Sequence, residues 1–327
     1  MRLTNNHQIS LPLAVWLLSD DYDYINDAKY ISATSLLKST RQLVLSRRVV
    51  QQDREIDVSD FLASRMGSAI HDSQEKAWRT SGQSAMKKLG YPEAVYSNIV
   101  INPEPEEIEA NPALIPIWIE KRSFREIAGY RIGGKFDQVI DGRLFDTKTT
   151  SVYAYLLGRK DEDYAFQGGI YRWLNEDLIQ DDHIYIQFVF TDWQKARARG
   201  DANYPQVKTL EYPVEMPSLA ETEAFILNKI SELEKYWDAP DDQIPLCTDK
   251  ELWRGETVYK YFSDPTKAST PGSRATRNFD GDKASAHAFM AEKGGKGIVK
   301  EIAGDVKACS YCPAFNACKQ KDQYFVA

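Results

Sequence analysis

The 327-residue sequence lacks any long apolar run. Its longest early apolar stretch, "LPLAVWLL", has eight residues, whereas a helix that crosses a bilayer needs about 20. Neither a strong basic flank nor a small-residue cleavage site accompanies this stretch, so it is not typical of a secretory signal. We therefore expect no membrane span, no association with a membrane and a cytoplasmic location.

An excess of basic residues is also absent, because 41 Lys and Arg face 48 Asp and Glu, for a net charge of −7. Proteins that coat nucleic acid without specificity depend on many basic contacts to phosphate, so this class is not favoured. A local basic groove is still compatible with the composition, since steering depends on the local field. The sequence has no internal repeat, and "EKGGKG" lacks the Ser or Thr and the spacing of a phosphate-binding loop.

Changes in pattern divide the chain into four segments. They are an N-terminal helical region at 1–58, a block of alternating helix and strand patterns at 59–200, a linker followed by a helix at 201–240, and a cysteine-containing region at 241–327. A basic stretch at 32–50 is predicted as helical. Ser218 and Glu221 form a capping box that begins the helix of the third segment.

The stretch "GGKFDQVIDGRLFDTKTT" predicts a β-hairpin around Asp141-Gly142, because both residues of a two-residue turn need a positive φ. The expected cross-strand pairs are Ile140–Arg143, Val139–Leu144, Gln138–Phe145 and Asp137–Asp146. Two carboxylates then oppose each other, with β-carbons about 5 Å apart, and Lys148 points to the same face as Asp146. A bound divalent cation would offset the repulsion. The alternative is a charge network on a solvated face.

The stretch "SDFLASRMGSAIHDSQEKAW" predicts a helix that begins near Ser59. Gly67, His71 and Glu75 are spaced four apart and share one face of it. Gly67 removes a side chain where another group must approach closely, and His71 presents an imidazole beside that gap. Three strand patterns, a second helix and a buried strand, "DHIYIQFVF", follow. The order of the block is therefore helix, three strands, helix, strand.

This block resembles the core of the PD-(D/E)XK nuclease superfamily, in its RecB-like exonuclease branch. The motif elements occur in the family's order: G-x-x-x-H at Gly67–His71, G-x-x-D at Gly134–Asp137, D-x-K at Asp146–Lys148 and Q-x-x-x-Y at Gln167–Tyr171. D-x-K alone occurs by chance in many chains, but four ordered elements over roughly 59–191 are specific. The resemblance implies an α/β, restriction-endonuclease-like core of order αβββαβ, with a mixed central sheet flanked by helices.

The resemblance also implies site residues. One or two Mg²⁺ or Mn²⁺ ions would be bound by His71, Asp137, Asp146 and the Thr147 carbonyl, since magnesium takes oxygen ligands and imidazole makes manganese more competitive. Lys148 would orient or deprotonate the attacking water, and Gln167 and Tyr171 would position the DNA strand or this lysine. Glu75 is a candidate outer partner of His71. Without the family context, His71, Gln167 and Tyr171 could equally be ordinary helix residues.

The four cysteines form a second constellation, with Cys247 alone and Cys309, Cys312 and Cys318 in "CSYCPAFNAC". A disulfide framework is not expected in a cytoplasmic enzyme of this size, whereas four thiolates fit zinc or an iron–sulfur cluster. The C-x2-C-x5-C run resembles that of AddB-like helicase–nucleases and CRISPR-associated RecB-like nucleases, which implies a [4Fe–4S] cluster. Their fourth cysteine precedes the nuclease core, where this chain has "LLKSTRQLVL", so Cys247 is the remaining candidate. Zinc stays open, whereas the clustering of three cysteines argues against four unrelated thiols.

These observations predict a metal-dependent DNA exonuclease that acts on single strands or DNA ends in recombination, repair or phage DNA metabolism, in the host cytoplasm if phage-encoded. Its partner is DNA, and a second copy of the chain or a recombination protein are further candidates. The basic stretch "TDWQKARARG" is either a DNA contact, with Trp193 stacking on a base, or a solvated loop. The alternatives are a CRISPR-adaptation-like processing nuclease within an assembly and a non-catalytic DNA-binding module.

Overall fold

The computed structural model describes residues 2–20, 23–49, 55–158 and 160–325. The chain forms two compact units. The first unit comprises Met1–Leu37 and Val50–Glu234, and the second comprises Lys38–Val49 and Lys235–Ala327. Within the described residues, no helix combines the length and the apolar character that crossing a bilayer requires.

The elements of the structure follow in chain order. The strands are β1 (Arg2–Thr4), β2 (Tyr30–Ser32), β3 (Glu55–Asp57), β4 (Ile99–Ile101), β5 (Ile115–Ile127), β6 (Tyr130–Ile140), β7 (Arg143–Thr150), β8 (His183–Phe190), β9 (Thr209–Glu215), β10 (Val258–Phe262), β11 (Arg277–Asp280) and β12 (Ile298–Ile302). The helices are α1 (Leu11–Leu18), α2 (Ala33–Leu36), α3 (Thr40–Ser46), α4 (Leu62–Lys88), α5 (Glu93–Tyr96), α6 (Pro105–Ala110), α7 (Val152–Leu156), α8 (Asp161–Leu174), α9 (Lys195–Gly200), α10 (Leu219–Tyr236), α11 (Pro265–Ala268), α12 (Lys283–Glu292) and α13 (Ala308–Tyr311).

The first unit is an α/β structure built on a mixed sheet of order β4-β5-β6-β7-β8-β9, with β2 paired to β6. Strand β6 is antiparallel to β5 and β7, whereas β7 and β8 are parallel and β8 and β9 antiparallel. The predicted order α4, β5, β6, β7, α8, β8 is present, with α5, β4, α6 and α7 between its members. A parallel pair needs a crossover connection, and α8 provides it between β7 and β8.

Helix α8 packs closely on strand β8 at Gly168 and on Pro217, which follows β9, at Gly169. The predicted strand β8 is present, but its burial alternates, with Ile184, Ile186 and two phenylalanines on the buried face. A β-carbon on Gly168 would lie 2.8 Å from the Ile184 β-carbon, and one on Gly169 would lie 3.0 Å from Pro217 Cγ. Neither distance leaves room for a β-carbon, so the two glycines allow α8 to lie close to its neighbours.

The hairpin between β6 and β7 is largely as predicted. Asp141 and Gly142 have φ of 52° and 72°, and three of the four expected pairs are present. The fourth is absent, because within the described strands the β6–β7 ladder ends at Gln138–Phe145. Beyond that point β7 keeps its parallel pairing with β8 up to Thr150. The Asp137 carboxylate accepts the Thr147 N–H at 2.9 Å, in place of a ladder bond.

The structure differs in detail from several segments predicted from the sequence. The segment at 201–240 is not only a linker and helix, because it contains β9 at the edge of the sheet, where Pro213 costs no ladder bond. The region at 1–58 contains three short strands as well as helices. The basic stretch at 32–50 is interrupted between α2 and α3, where Ser39 caps α3 by accepting the Gln42 N–H, and Val50 lies outside the described residues. The long helix α4 begins at Leu62, after a 3-10 turn over Val58–Phe61.

The second unit contains a small sheet of order β11-β10-β12, in which both neighbours are antiparallel to β10. Tyr261 of β10 is buried and contacts the Phe289 ring of α12 edge-on at 5.2 Å. The sequence of this region has few long apolar periods, so this sheet was not predicted.

Candidate active site and cysteine cavity

Three elements of the first unit bring a potential metal site together. His71 of α4, Glu120 of β5 and Asp137 of β6 each offer one ligand atom, and these atoms all lie within 4.8 Å of one another. His71 Nδ1 lies 3.1 Å from Asp137 Oδ2 and 3.8 Å from Glu120 Oε1. One imidazole nitrogen and two carboxylate oxygens are suitable donors for Mn²⁺ or Mg²⁺. We call these three residues the acidic site.

Glu120 is a residue that the sequence reasoning missed. The β5–β6 register pairs Ile119 with Gln138 and Lys121 with Phe136, which leaves Glu120 and Asp137 facing each other without a ladder pair. Glu120 has φ of 51°, an unfavourable conformation for a residue with a side chain. Such strain is concentrated at functional sites. The facing carboxylates expected for this site therefore lie across β5 and β6, and not across the β6–β7 hairpin.

The charges of the acidic site are partly compensated within the protein. Lys135 Nζ lies 2.5 Å from Glu120 Oε2, on the opposite strand. Burial raises the pKa of Glu120, while Lys135 opposes that rise. The hydrogen bond to Asp137 raises the pKa of His71. A proton on His71 thus stabilises the paired carboxylates, and a metal ion would compete with it for the same nitrogen.

Asp146 is almost fully buried, with 1% of its surface exposed, and it contacts two side chains. Lys148 Nζ lies 2.7 Å from its Oδ2, and Gln167 Nε2 donates to its Oδ1 at 3.1 Å. Burial raises the pKa of Asp146 to about 6, even though Lys148 lowers it. In the described residues its carboxylate does not belong to the 4.8 Å group of the acidic site. The structure thus joins His71 and Asp137, and pairs Asp146 with Lys148.

Thr147 connects β7 to its neighbours through its N–H and its hydroxyl. The N–H bonds Asp137, and the hydroxyl donates to Gln74 Oε1 at 3.0 Å and lies 3.2 Å from Gln187 Oε1. These bonds tie β7 to β6, β8 and α4. Ligation of a metal by the Thr147 carbonyl stays a prediction.

Gln167 and Tyr171 contact the site from α8. Both are buried, and Gln167 Nε2 also donates to the Tyr171 hydroxyl at 3.1 Å. The Tyr171 ring covers β6 where Gly134 has no side chain, since a β-carbon there would lie 2.8 Å from the ring. Gln167 thus holds the Asp146 carboxylate, and Tyr171 holds Gln167. A role of these two residues in positioning DNA or Lys148 stays a prediction.

Two expectations about α4 differ from the structure. Glu75 is not a partner of His71, because its carboxylate bonds Arg79 Nε at 2.8 Å, one turn further along the helix. Gly67 is not required by packing within the chain, since a β-carbon there would make an ordinary 3.8 Å contact with Thr149 Oγ1.

The four cysteines line one cavity of the second unit, although 61 residues separate Cys247 from Cys309. None of the four forms a disulfide. In the described residues, which include all four, no three sulfur atoms lie within 4.8 Å of one another. A single tetrahedral zinc with Zn–S bonds of 2.3 Å needs sulfurs about 3.8 Å apart. We call this space the cysteine cavity.

Arg41 of α3 reaches the cysteine cavity from the stretch "LLKSTRQLVL", which contains no cysteine. Its side chain is buried, and its Nε donates to Cys318 Sγ at 3.1 Å. Its Nη1 donates to the carbonyls of Asp241 and Ile244 at 3.1 and 3.0 Å, and its Nη2 pairs with the Asp241 carboxylate. The N-terminal stretch therefore contributes a cation to this cavity where a cysteine was expected from the resemblance.

The backbone of Cys247 is held by Gln320, a buried residue close to the cysteine trio in sequence. Gln320 accepts the Cys247 N–H at 2.8 Å and donates to the Cys247 carbonyl at 3.0 Å. Burial raises the pKa of the Cys247 thiol to about 11 and also raises that of Cys309. A bound metal would have to displace these protons, because the thiolate is the ligand.

The stretch "TDWQKARARG" is partly fixed by internal contacts. The Trp193 indole N–H donates to the Pro205 carbonyl at 2.7 Å, and the ring is half-buried. The Arg197 guanidinium lies 5.2 Å from the centre of the Tyr204 ring. A role for Trp193 in stacking on a base stays a prediction.

No protein-family model and no curated protein sequence matches the chain. Among solved structures, the protein SSO0001 is similar at 16% identity and a TM-score of 0.39, over 69% of this chain and 87% of that one. A phage-related exonuclease from Haemophilus somnus 129PT is similar at 16% identity and a TM-score of 0.28, over 64% of this chain and 93% of that one. Likeness at this level supports no conclusion about fold or activity.

Proposed function

We propose that this protein hydrolyses phosphodiester bonds in DNA with a divalent cation, on a core of the PD-(D/E)XK type. The observation that carries the proposal is the acidic site, where three ligand atoms lie within 4.8 Å of one another. The Lys148 ammonium and the Asp146 carboxylate lie together on the neighbouring strand. Phosphodiester hydrolysis needs an activated water and stabilisation of negative charge on the phosphoryl oxygens, and this set of groups suits both.

The cation would be one or two Mg²⁺ or Mn²⁺ ions, held by the acidic site with Asp146 and the Thr147 carbonyl as further ligands, and would supply Lewis-acid stabilisation and a more acidic water. Lys148 acts as the positioned ammonium. Its side chain is 31% exposed, so it can hold the attacking water or the developing negative charge. Gln167 fixes Asp146 through Oδ1, and Tyr171 accepts a hydrogen bond from the same amide.

The substrate we propose is DNA with a free end, cleaved as by an exonuclease in recombination, repair or phage DNA metabolism. The resemblance of the four ordered motifs to the RecB-like branch supports this choice. Hydrogen bonds between residues of different motifs also support it, since the Thr147 N–H donates to Asp137 and Gln167 donates to Asp146.

We also propose that the cysteine cavity holds a [4Fe–4S] cluster bound by Cys247, Cys309, Cys312 and Cys318. Four cysteine side chains around one cavity suit a cluster bound by cysteine thiolates. No three of the described sulfurs lie within 4.8 Å of one another, and a cluster holds its four thiolates further apart than a single zinc ion does. Arg41 then orients Cys318 through its bond to the sulfur, and Gln320 orients Cys247 through its bond to the backbone.

The proposed activity is tested with end-labelled linear DNA, incubated with Mg²⁺, Mn²⁺ or a chelator. We expect cleavage only with metal, and none by Lys148→Met, which should still bind DNA and keep its fold. Glu75→Gln is the matched control, because Glu75 lies on the same helix as His71 but bonds Arg79, one turn further along. Cleavage by Lys148→Met at the wild-type rate would put the site elsewhere. Wild-type binding without cleavage under any metal would favour the non-catalytic alternative.

A further inference from the structure

A second cavity of the first unit, of about 190 Å³, lies between helices α7 and α8 and the sheet. Tyr155, Tyr164, Phe188 and Tyr212 contribute rings to its lining, and Thr150 and Lys160 contribute polar groups. We call it the aromatic cavity. None of the motif residues assigned above lines it.

The rings of the aromatic cavity are arranged around Phe188, which is buried. The Tyr155 and Tyr164 rings meet Phe188 edge-on, with centroids 5.2 and 6.1 Å away and interplanar angles of 66° and 64°. The Tyr212 ring lies 6.1 Å from Phe188, and its hydroxyl donates to Asp161 Oδ2 at 2.8 Å. These contacts hold the rings in place, so the cavity offers a preformed aromatic lining.

The aromatic cavity is adjacent to the candidate catalytic lysine on two elements. Thr150 follows Lys148 by two residues on β7, which corresponds to about 7 Å along a strand. Tyr164 precedes Gln167 by three residues on α8, so the two share a face of the helix. A group bound in the cavity would therefore lie about one nucleotide from a phosphate held at Lys148.

We propose that the aromatic cavity receives the nucleobase of the nucleotide next to the scissile phosphodiester, an inference that rests on the proposed nuclease function. Aromatic side chains bind bases by stacking, and they do so with little regard to sequence because every base has a π-face. A phosphate is a poorer occupant, because among the described residues of the lining Lys160 alone is basic and the Asp161 carboxylate lies beside it.

The size of the cavity also defines the substrate class. A volume of about 190 Å³ has room for one base. A base that enters must leave its stack and its partner strand, and this costs more in a closed duplex than in a single strand. The strand is therefore single at the cleavage position, and we infer a preference for single-stranded DNA or frayed ends over closed duplex.

The test combines a change in the cavity with a change in the substrate. Tyr155→Ala should raise KM by about 5- to 150-fold, since stacking is worth about 1–3 kcal/mol per base. An oligonucleotide with one abasic residue next to the scissile phosphodiester should show the same increase in KM with the wild-type protein. With Tyr155→Ala the abasic residue should cause no further increase in KM. Tyr153→Ala is the matched control, because Tyr153 lies on the same helix, is 67% exposed and does not line the cavity.

A second variant tests the aromatic cavity independently, in case Tyr155→Ala does not fold. Ala154→Phe adds a ring to the exposed side of the lining without removing a buried contact, and it should raise KM in the same way. Cleavage with unchanged KM by a folded Tyr155→Ala or Ala154→Phe protein, or additive losses from the variant and the abasic residue, would overturn the proposed base site alone. Absence of cleavage by the wild-type protein with every metal would instead reject the nuclease function.

Discussion

Replacement of Asp146 by Asn is expected to abolish cleavage and at the same time to stabilise the metal-free protein. Asp146 is 1% exposed, and its charge is opposed by burial and by Asp137, which together outweigh the attraction of Lys148. Asn has nearly the same shape and can still accept the Gln167 hydrogen bond through its Oδ1. It removes the negative charge that the metal-free protein has to bury.

The magnitude follows from the pKa of Asp146, which burial raises from 3.8 to about 6. A raised carboxyl pKa means that the folded state holds the proton more tightly than the unfolded state, so ionisation costs stability as the pH rises. At 1.36 kcal/mol per pKa unit the cost reaches about 3 kcal/mol at pH 7. It falls to about 1 kcal/mol at pH 4.5 and disappears below the unfolded pKa.

The assay is thermal unfolding of chelator-treated wild-type and Asp146→Asn protein at pH 7 and pH 4.5. A gain of about 3 kcal/mol is an increase in Tm of up to about 10 °C in a unit of this size, and the gain should shrink by roughly two-thirds at the lower pH. Added Mn²⁺ should stabilise the wild-type protein more than the variant. A lower Tm of the variant at pH 7, or a gain that does not depend on pH, would refute the reasoning.

Three further predictions concern the ligands and the substrate. Glu120→Gln should weaken Mn²⁺ binding at least tenfold, measured by calorimetry, while Glu75→Gln should not. Equal Mn²⁺ affinities of the wild-type and Glu120→Gln proteins would remove Glu120 from the site. Protein purified without oxygen should be brown and contain about four irons with matching sulfide; a colourless protein with one zinc would overturn the cluster. Arg41→Met should shift the reduction potential of the cluster to more negative values, because the Arg41 cation and its hydrogen bond favour the reduced cluster. Linear single-stranded DNA should be degraded while a circle of the same sequence survives, and nicked circles would indicate an endonuclease.

Local sequence signals predicted the parts of the site that adjacent residues build. The Asp141-Gly142 turn determined three of the four predicted pairs of the β6–β7 hairpin, and the apolar run "DHIYIQFVF" predicted strand β8. The spacing of four between Gln167 and Tyr171 predicted that they share a face of α8, where they contact each other. In each case the geometry is set within a few residues by φ preferences or by the period of the element.

Tertiary structure decided which distant groups meet. Glu120 faces Asp137 because Ala128 and Gly129 form a turn with φ of 48° and 75°, and alanine gives no signal for such a turn. Arg41 meets Cys318 across 277 residues of sequence. Such pairings depend on which apolar faces are buried together, a property of the whole folded unit that no local period of the sequence records.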